Sequence, residues 1–291
     1  MVRKKGTHKR SKKFPISIVA EIIFILAMIG GVIALIVLNN NKAPADYVVE
    51  TNAFFAPFEF YEGREIKGVD VEIIKKVAEK LGKNIEIKDV EFDVIIDNVE
   101  AGKIADAGAA GITITSAREE KVNFSIPYYT SVQYIIYNKD AAPEIRDGHI
   151  VWNALAGKKL GTQTGSTGYL FASDEIDSGV LMGTETELKG FDSHQLAADA
   201  ISAHIVDYAI ADELPAKMIV SKNSNLEALP LYYMGPTEME DYPAEESYAI
   251  AVNKDRAELL DAFNEVLAEM LTYGDDGQNE IERLVLKYMG F

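Results

Sequence analysis

From Tyr47 to the C-terminus, short apolar runs alternate with amphipathic stretches, the strand and helix rhythm of an α/β protein. Val69–Leu81 sets Val69, Ile73, Ile74, Val77 and Leu81 at helical spacing among charged residues, and Gly82 supplies a stop. The alternation around Ile85 and Ile87 predicts a strand over 84–90, and further strands are expected at 104–114, 132–137, 159–163, 208–211 and 248–252. Helices are expected from Tyr169 onward and over 194–204, 256–272 and 279–288. The run at 104–114 should lead into a loop at 113–118, and the strand at 159–163 into the loop Thr164-Gly165-Ser166-Thr167-Gly168.

Ahead of this region, Ile16–Leu38 is apolar for 23 residues with Glu21 as its one charge. As a helix it would reach about 35 Å at ~1.5 Å per residue, long enough to span a bilayer. Seven basic residues precede it, which predicts a cytoplasmic tail at 1–15, an anchor or uncleaved signal at 16–38 and a linker at 39–46. The rest would then lie outside the cytoplasm. Ala43-Pro44-Ala45 offers a cleavage alternative that would release the protein after Ala45, but the apolar run exceeds the usual signal-peptide length.

The chain of 291 residues is 48 % hydrophobic and 26 % charged, a globular composition. Its net charge of -17 is unevenly placed: residues 46–291 keep 21 of the 29 basic but 45 of the 46 acidic side chains. So acidic a body repels phosphate backbones, which argues against nucleic-acid binding. With no cysteine, disulfides, thiolate metal sites, cysteine nucleophiles and a lipid-modified cysteine are all excluded.

Four segments carry a pattern: Thr51 to Phe60 followed by Gly68-Val69-Asp70-Val71-Glu72; Gly111 to Arg118 followed by Val122 to Tyr129; Gly161 to Gly168; and Ile205 to Asp212. In this order they resemble the polar-amino-acid family of extracytoplasmic solute-binding proteins of ABC importers, over about 47–291. The resemblance implies a two-lobed periplasmic-binding-protein-like fold (type II) with two hinge crossings. Lobe 1 would comprise 47–132 with 244–291, and lobe 2 would comprise 133–243. It also implies capture of a free amino acid between the lobes, delivery to ABC permease subunits in the membrane, a monomer, and no cofactor.

An amino acid is a zwitterion, so its site must satisfy a carboxylate and an ammonium while excluding water. Arg118 can grip a carboxylate through two parallel bonds, with Thr113 and Gly111 on the same loop; the alternative is a surface ion pair with Glu119 or Glu120. Gly165–Gly168, between strand and helix, can present backbone N–H groups to an anion, and the resemblance gives Thr167 a carboxylate contact. A glycine-rich turn with a capping hydroxyl is the alternative there, and a nucleotide loop lacks its Gly-Lys-Ser/Thr ending. Asp212 matches the family's ammonium-binding aspartate, or else it caps the helix that follows. Phe55 and Phe92 match stacking positions, though either would otherwise read as core. Asn52 stands where members that take cationic side chains have aspartate. Gln163 is also uncharged, so a polar or neutral amino acid is expected. Asp97 in place of a proline, and one extra residue in 102–106, depart from the family pattern.

Enzymatic readings are thin. The four histidines have no metal spacing, no Gly-x-Ser-x-Gly elbow occurs, and no catalytic or metal-binding residue is assigned. The rivals are a membrane-anchored sensory input domain, for which the tail is too short to hold a signalling module, and a cyclohexadienyl-dehydratase-like enzyme on the same fold.

Overall fold

The structure, a computed structural model, describes residues 23–31, 44–235 and 240–290. Residues 23–31 are an exposed helix, α1. The remainder of the expected span 16–38, the tail 1–15 and linker residues 39–43 lie outside the described residues. No helix among the described residues is long and apolar enough to cross a membrane. Residues 45–291 form a compact unit of their own.

In that unit the chain runs β1 (Tyr47–Thr51), β2 (Phe54–Phe55), β3 (Glu59–Glu62), β4 (Glu65–Lys67), α2 (Val69–Leu81), β5 (Ile85–Asp89), α3 (Ile95–Ala101), β6 (Ala107–Gly108), α4 (Ser116–Lys121) and β7 (Asn123–Phe124). It continues through β8 (Tyr129–Asn138), β9 (Ile150–Val151), β10 (Lys159–Gln163), α5 (Thr167–Asp177), β11 (Glu187–Phe191), α6 (His194–Ser202), β12 (Tyr208–Asp212), α7 (Glu213–Ser221), β13 (Leu226–Tyr233) and β14 (Tyr242–Pro243). β15 (Glu245–Tyr248), β16 (Ala251–Val252), α8 (Ala257–Met270) and α9 (Glu280–Met289) complete it.

Two sheets organise these elements as two lobes. One has the order β5-β1-β6-β16-β7, with β1 parallel to β5 and β6 and β16 antiparallel to its neighbours. The other runs β11-β10-β12-β8-β13-β14. The apolar stripe of α2 (Val69, Ile73, Val77) meets that of α8 (Leu259, Phe263, Leu267) in one core with Val49 and Val252 of the first sheet. The second sheet is apolar on both faces, with Trp152, Leu160 and Ile210 in one core and Ile136, Ala197 and Ala209 in another, as a sheet covered on both sides requires.

β8 and β15 pair antiparallel, Glu246 opposite Ser131 and Tyr248 opposite Tyr129. β8 leads from the first sheet into the second, and β15 leads back. Together they make the two crossings.

Where pattern and structure differ, the causes are local. The strand expected over 104–114 shrinks to Ala107–Gly108, because Gly111 takes φ +54° and turns the chain out of the sheet, so that Thr113 bridges to Tyr248 instead. The strand expected over 248–252 is split between β15 and β16. The helix expected from Tyr169 begins at Thr167 because Ser166 is its N-cap, its Oγ accepting from the Tyr169 N–H.

The small sheet β2-β3-β4 also ties down α2: the carbonyls of Pro57 and Phe58 accept from the N–H groups of Val69 and Asp70. Gly68 makes that approach possible, with φ +134° and a position where a Cβ would meet the Phe58 carbonyl oxygen at 2.0 Å. Gly68→Ala should therefore cost about 2 kcal/mol or more in urea unfolding. Gly63→Ala, at φ +66° in open space, should cost about 1 kcal/mol. Equal losses would contradict the close-approach argument.

Candidate ligand site between the lobes

The ends of the strands and the loops after them deliver polar side chains to one cleft. Asn52 follows β1, Gly111 and Thr113 lie on the loop after β6, Arg118 is on α4, Gln163 ends β10, Thr167 opens α5 and Asp212 ends β12. Asn52, Phe55, Glu59, Phe92, Gly111, Thr113, Gln163, Ser166, Thr167, His194 and Asp212 line a cavity of about 10 Å³, room for little more than one water. The structure thus brings every sequence-derived site residue except Arg118 to the wall of this cavity; Arg118 bonds to the carbonyls of Thr113 and Gly165 and lines a separate, open pocket with Phe92.

Arg118 makes no ion pair with Glu119 or Glu120. The residue is 7 % exposed, and its guanidinium donates to the carbonyls of Thr113 (2.7 Å) and Gly165 (3.0 Å) and lies 5.6 Å from the Phe92 ring centre. It therefore ties the two lobes together. Burial lowers its pKa to about 10, against the opposing pull of Glu246 and Asp212, so it stays charged at neutral pH.

Asp212 occupies the N-cap position of α7, but its side chain caps nothing. At 4 % exposure, its Oδ1 accepts from Gln133 Nε2 (2.5 Å) and its Oδ2 from the Tyr248 hydroxyl. The capping role at α5 belongs to Ser166, and the Thr167 hydroxyl donates to Glu246 instead. Across the cleft, Gln163 Nε2 donates to Asn52 Oδ1 (2.9 Å) and to the Asp192 carbonyl (3.0 Å), and Asn52 donates to the Val90 carbonyl (2.8 Å). Phe55 packs on Phe58, Tyr248 and His194 at 5.5 to 6.1 Å between ring centres, so it serves core and cleft together. Gly111 is needed under it: a Cβ there would meet Phe55 Cε1 at 2.4 Å.

Six further residues of the site carried no sequence assignment. Glu246, 4 % exposed, accepts at Oε2 from the hydroxyls of Thr113 (2.7 Å) and Thr167, and at Oε1 from Gln133 Nε2. Burial and the Asp212 charge push its carboxyl up to about 8. His194 is buried, contacts the Ile210 carbonyl through Nδ1 (3.2 Å), and is held neutral by burial, its pKa down to about 4. Glu59 is fully buried without a hydrogen-bonding partner on either carboxyl oxygen; burial first, then the Asp70 charge, raise its pKa well above the ordinary value. Asp70 accepts from the Tyr128 hydroxyl (2.6 Å) and the Gly111 N–H (3.0 Å), which fixes the loop that carries Thr113. Gln133 and Tyr248 complete the group. Nothing in the sequence singled out Glu246; that it and Tyr248 share the inward face of β15 follows from the strand's burial pattern in the structure.

Among the described residues no cluster of three or more His, Asp or Glu could hold a metal ion.

A two-lobed α/β protein with hinge strands and a buried polar cleft carrying an arginine and an aspartate has the architecture of a periplasmic-binding-protein-type receptor for a small solute. Residues 47–290 match the profile of the bacterial extracellular solute-binding proteins, family 3, and the chain belongs to that family. It is a binding protein and not an enzyme. It is 31 % identical over 254 residues to the arginine-binding extracellular protein ArtP of Bacillus subtilis, a match covering 86 % of this chain and 88 % of ArtP. It is 26 % identical to a probable histidine-binding protein of Campylobacter jejuni, over 81 % and 84 % of the two chains. Among solved structures it resembles the amino-acid ABC transporter substrate-binding protein AbpA of Streptococcus pneumoniae bound to L-arginine (TM-score 0.69, 29 % identity, 84 % and 94 % covered). It likewise resembles an ancestral arginine-binding protein bound to glutamine (TM-score 0.66, 31 % identity, 86 % and 100 % covered).

The raised carboxyl of Glu246 has a measurable consequence. The fold holds its proton more tightly than the unfolded chain does, so the parent should lose stability relative to a non-titrating variant as pH rises from about 4.5 to about 8. The melting temperature of Glu246→Gln minus that of the parent should therefore grow between pH 5 and pH 8. A difference that stays constant or shrinks would show that Glu246 is ionised in the fold.

Proposed function

We propose that this chain is the substrate-binding component of an ABC importer, taking a free amino acid with a polar, uncharged side chain between its lobes and delivering it to a permease. The carrying observation is that two side chains of opposite charge, Arg118 on α4 and Asp212 at the end of β12, are both buried and close enough for the Asp212 charge to act on Arg118. Arg118, with the backbone N–H groups at the start of α5, receives the ligand carboxylate, and Asp212 receives the ammonium. Asn52 and Gln163 meet the side chain. They already bond to each other across the cleft, and as carboxamides they offer a donor and an acceptor but no charge. Phe55 and Phe92 wall the site. Because the closed cavity is so small, the lobes must part for entry and close again on the ligand, whose contacts to both sides favour closure. Lobe 1 is taken as 47–132 with 244–291 and lobe 2 as 133–243, the protein acting as a monomer held to the outer face of the membrane by 16–38.

A cationic side chain is the second reading. Relatives named for arginine and histidine favour it, and the buried carboxyl of Glu59 lines the cavity. Against it, burial and the Asp70 charge disfavour the ionised form of Glu59, and neither Asn52 nor Gln163 supplies a counter-charge. A thermal-shift panel of glutamine, asparagine, histidine, lysine and arginine decides. A ligand at 100 times its Kd should add about 2.7 kcal/mol of stability. The largest shift should come from an amide; the largest from lysine or arginine would establish the second reading.

Arg118→Ala and Asp212→Ala should each weaken binding by a factor of roughly a hundred to a few thousand in calorimetric titration, the ~3 to 5 kcal/mol cost of stripping one partner from a buried charge. An Arg118→Ala variant within fivefold of the parent would defeat the site. Full-length protein should stay with membranes through high-salt and alkaline washing, whereas a soluble form beginning at Asp46 would show cleavage.

A further inference from the structure

We propose that His194 is a specificity-determining residue of the site: its unprotonated Nε2, together with Oε1 of Gln163, offers lone pairs to the side chain of the ligand and so selects a side chain that carries an N–H donor. The inference rests on the amino-acid reading above and adds to it a residue from the start of α6 and the polarity that residue imposes.

Three backbone carbonyls decide which side-chain atoms are left for a ligand. A carbonyl oxygen can only accept, so a nitrogen bonded to it must bring the hydrogen. The Ile210 carbonyl, 3.2 Å from His194 Nδ1, therefore fixes the ring proton on Nδ1. Burial keeps the imidazole neutral, its pKa down to about 4, so Nε2 carries a lone pair and no proton at pH 7. In the same way the Asp192 carbonyl fixes the amide nitrogen of Gln163, and the Val90 carbonyl that of Asn52. Gln163 then gives its other N–H to Asn52 Oδ1. His194 Nε2 and Gln163 Oε1 remain, neither with a partner among the described residues, and both residues line the cavity. Phe55 packs on the His194 ring at 5.5 Å between centres, which sets that ring beside the wall assigned to the ligand side chain. Glu59, in the same lining, has two unpartnered carboxyl oxygens and at most one proton to give. The hydroxyls of the lining are already committed, Ser166 to the Gln163 carbonyl and Thr113 and Thr167 to Glu246. On the donor side stands the second amide hydrogen of Asn52. The side-chain end of the cavity is thus rich in acceptors. A ligand side chain without N–H leaves them desolvated and unmet, whereas an amide, a guanidinium or an ammonium satisfies them.

Two measurements on the full-length chain at pH 7 test this. In NMR spectra of the histidine ring nitrogens, His194 should show an unprotonated Nε2 whose signal moves when L-glutamine is added, or L-arginine if L-glutamine gives no heat in titration. Its signals are those absent from His194→Phe or, where that variant does not fold, those left when His8, His149 and His204 are replaced by glutamine. A proton on Nε2 of the free protein, or an Nε2 signal unmoved at saturation, overturns the inference. In calorimetric titration the parent should bind that amino acid at least tenfold more tightly than L-methionine, whose side chain has no N–H. His194→Phe should lose at least tenfold for the N–H-bearing ligand and less than threefold for methionine, whereas a purely structural role would weaken both alike. Where methionine gives no heat, the tenfold loss and the moved Nε2 signal are both required. A parent that binds methionine equally well, or a His194→Phe variant whose preference stays within threefold of the parent's, overturns the inference. If Arg118→Ala loses binding while His194→Phe keeps the parent's affinity, the amino-acid reading stands and this inference falls. If neither L-glutamine nor L-arginine binds the parent, both fall.

Discussion

The antiparallel pairing of β8 with β15 is the constraint on which the rest of the molecule depends. These strands are the crossings between the sheets, and their inward-facing residues, Gln133 on one and Glu246 and Tyr248 on the other, form the floor of the cleft. Through that floor the backbone register of the hinge is converted into side-chain geometry. Gln133 spans Asp212 and Glu246, Tyr248 holds the other oxygen of Asp212, and Glu246 reaches the threonines on either side. Most of these deeply buried polar atoms satisfy one another, Gln133 Oε1 alone of the group being left without a partner. Removing any member leaves a neighbour unpaired in a dry place, so the network stands or fails largely as a unit.

Closure is reinforced further out by contacts of a different kind. Arg118 donates to carbonyls from both lobes and lies against Phe92, and Asn52 and Gln163 join across the gap. None of these is a strong exposed ion pair. They are hydrogen bonds in a nearly water-free seam, where each counts for more than it would at the surface. On the proposed reading, a zwitterion entering the seam would compete with the protein for its own donors and acceptors, so its affinity would be a difference between two hydrogen-bonded states.

The helices and most strands were legible because their periodicity is local: the stripe on α2 and the alternation of β5 need no knowledge of the rest of the chain. Arg118, Asp212 and Thr167 were legible as candidate site residues only through motif resemblance. Their competing local roles, a surface pair or a helix cap, were decided by burial and by Ser166 taking the cap. Glu246 and Gln133 were not legible. They lie in strands far apart in sequence, and an acid in an acid-rich chain gives no sign of facing inward until the register of β15 against β8 is known. The short β6 departs from the expected strand for a related reason, since small apolar residues read as strand although Gly111 turns the chain away.

The central claim is that a zwitterion spans the cleft from Arg118 to Asp212. A crystal structure of the protein grown with the amino acid that gives the largest thermal shift tests it most directly. The account predicts the ligand carboxylate within hydrogen-bonding distance of the Arg118 guanidinium and the ammonium on Asp212, with Asn52 and Gln163 parted around the side chain. A ligand seated in the reverse orientation, or bound elsewhere with the Asn52–Gln163 bond intact, would contradict it.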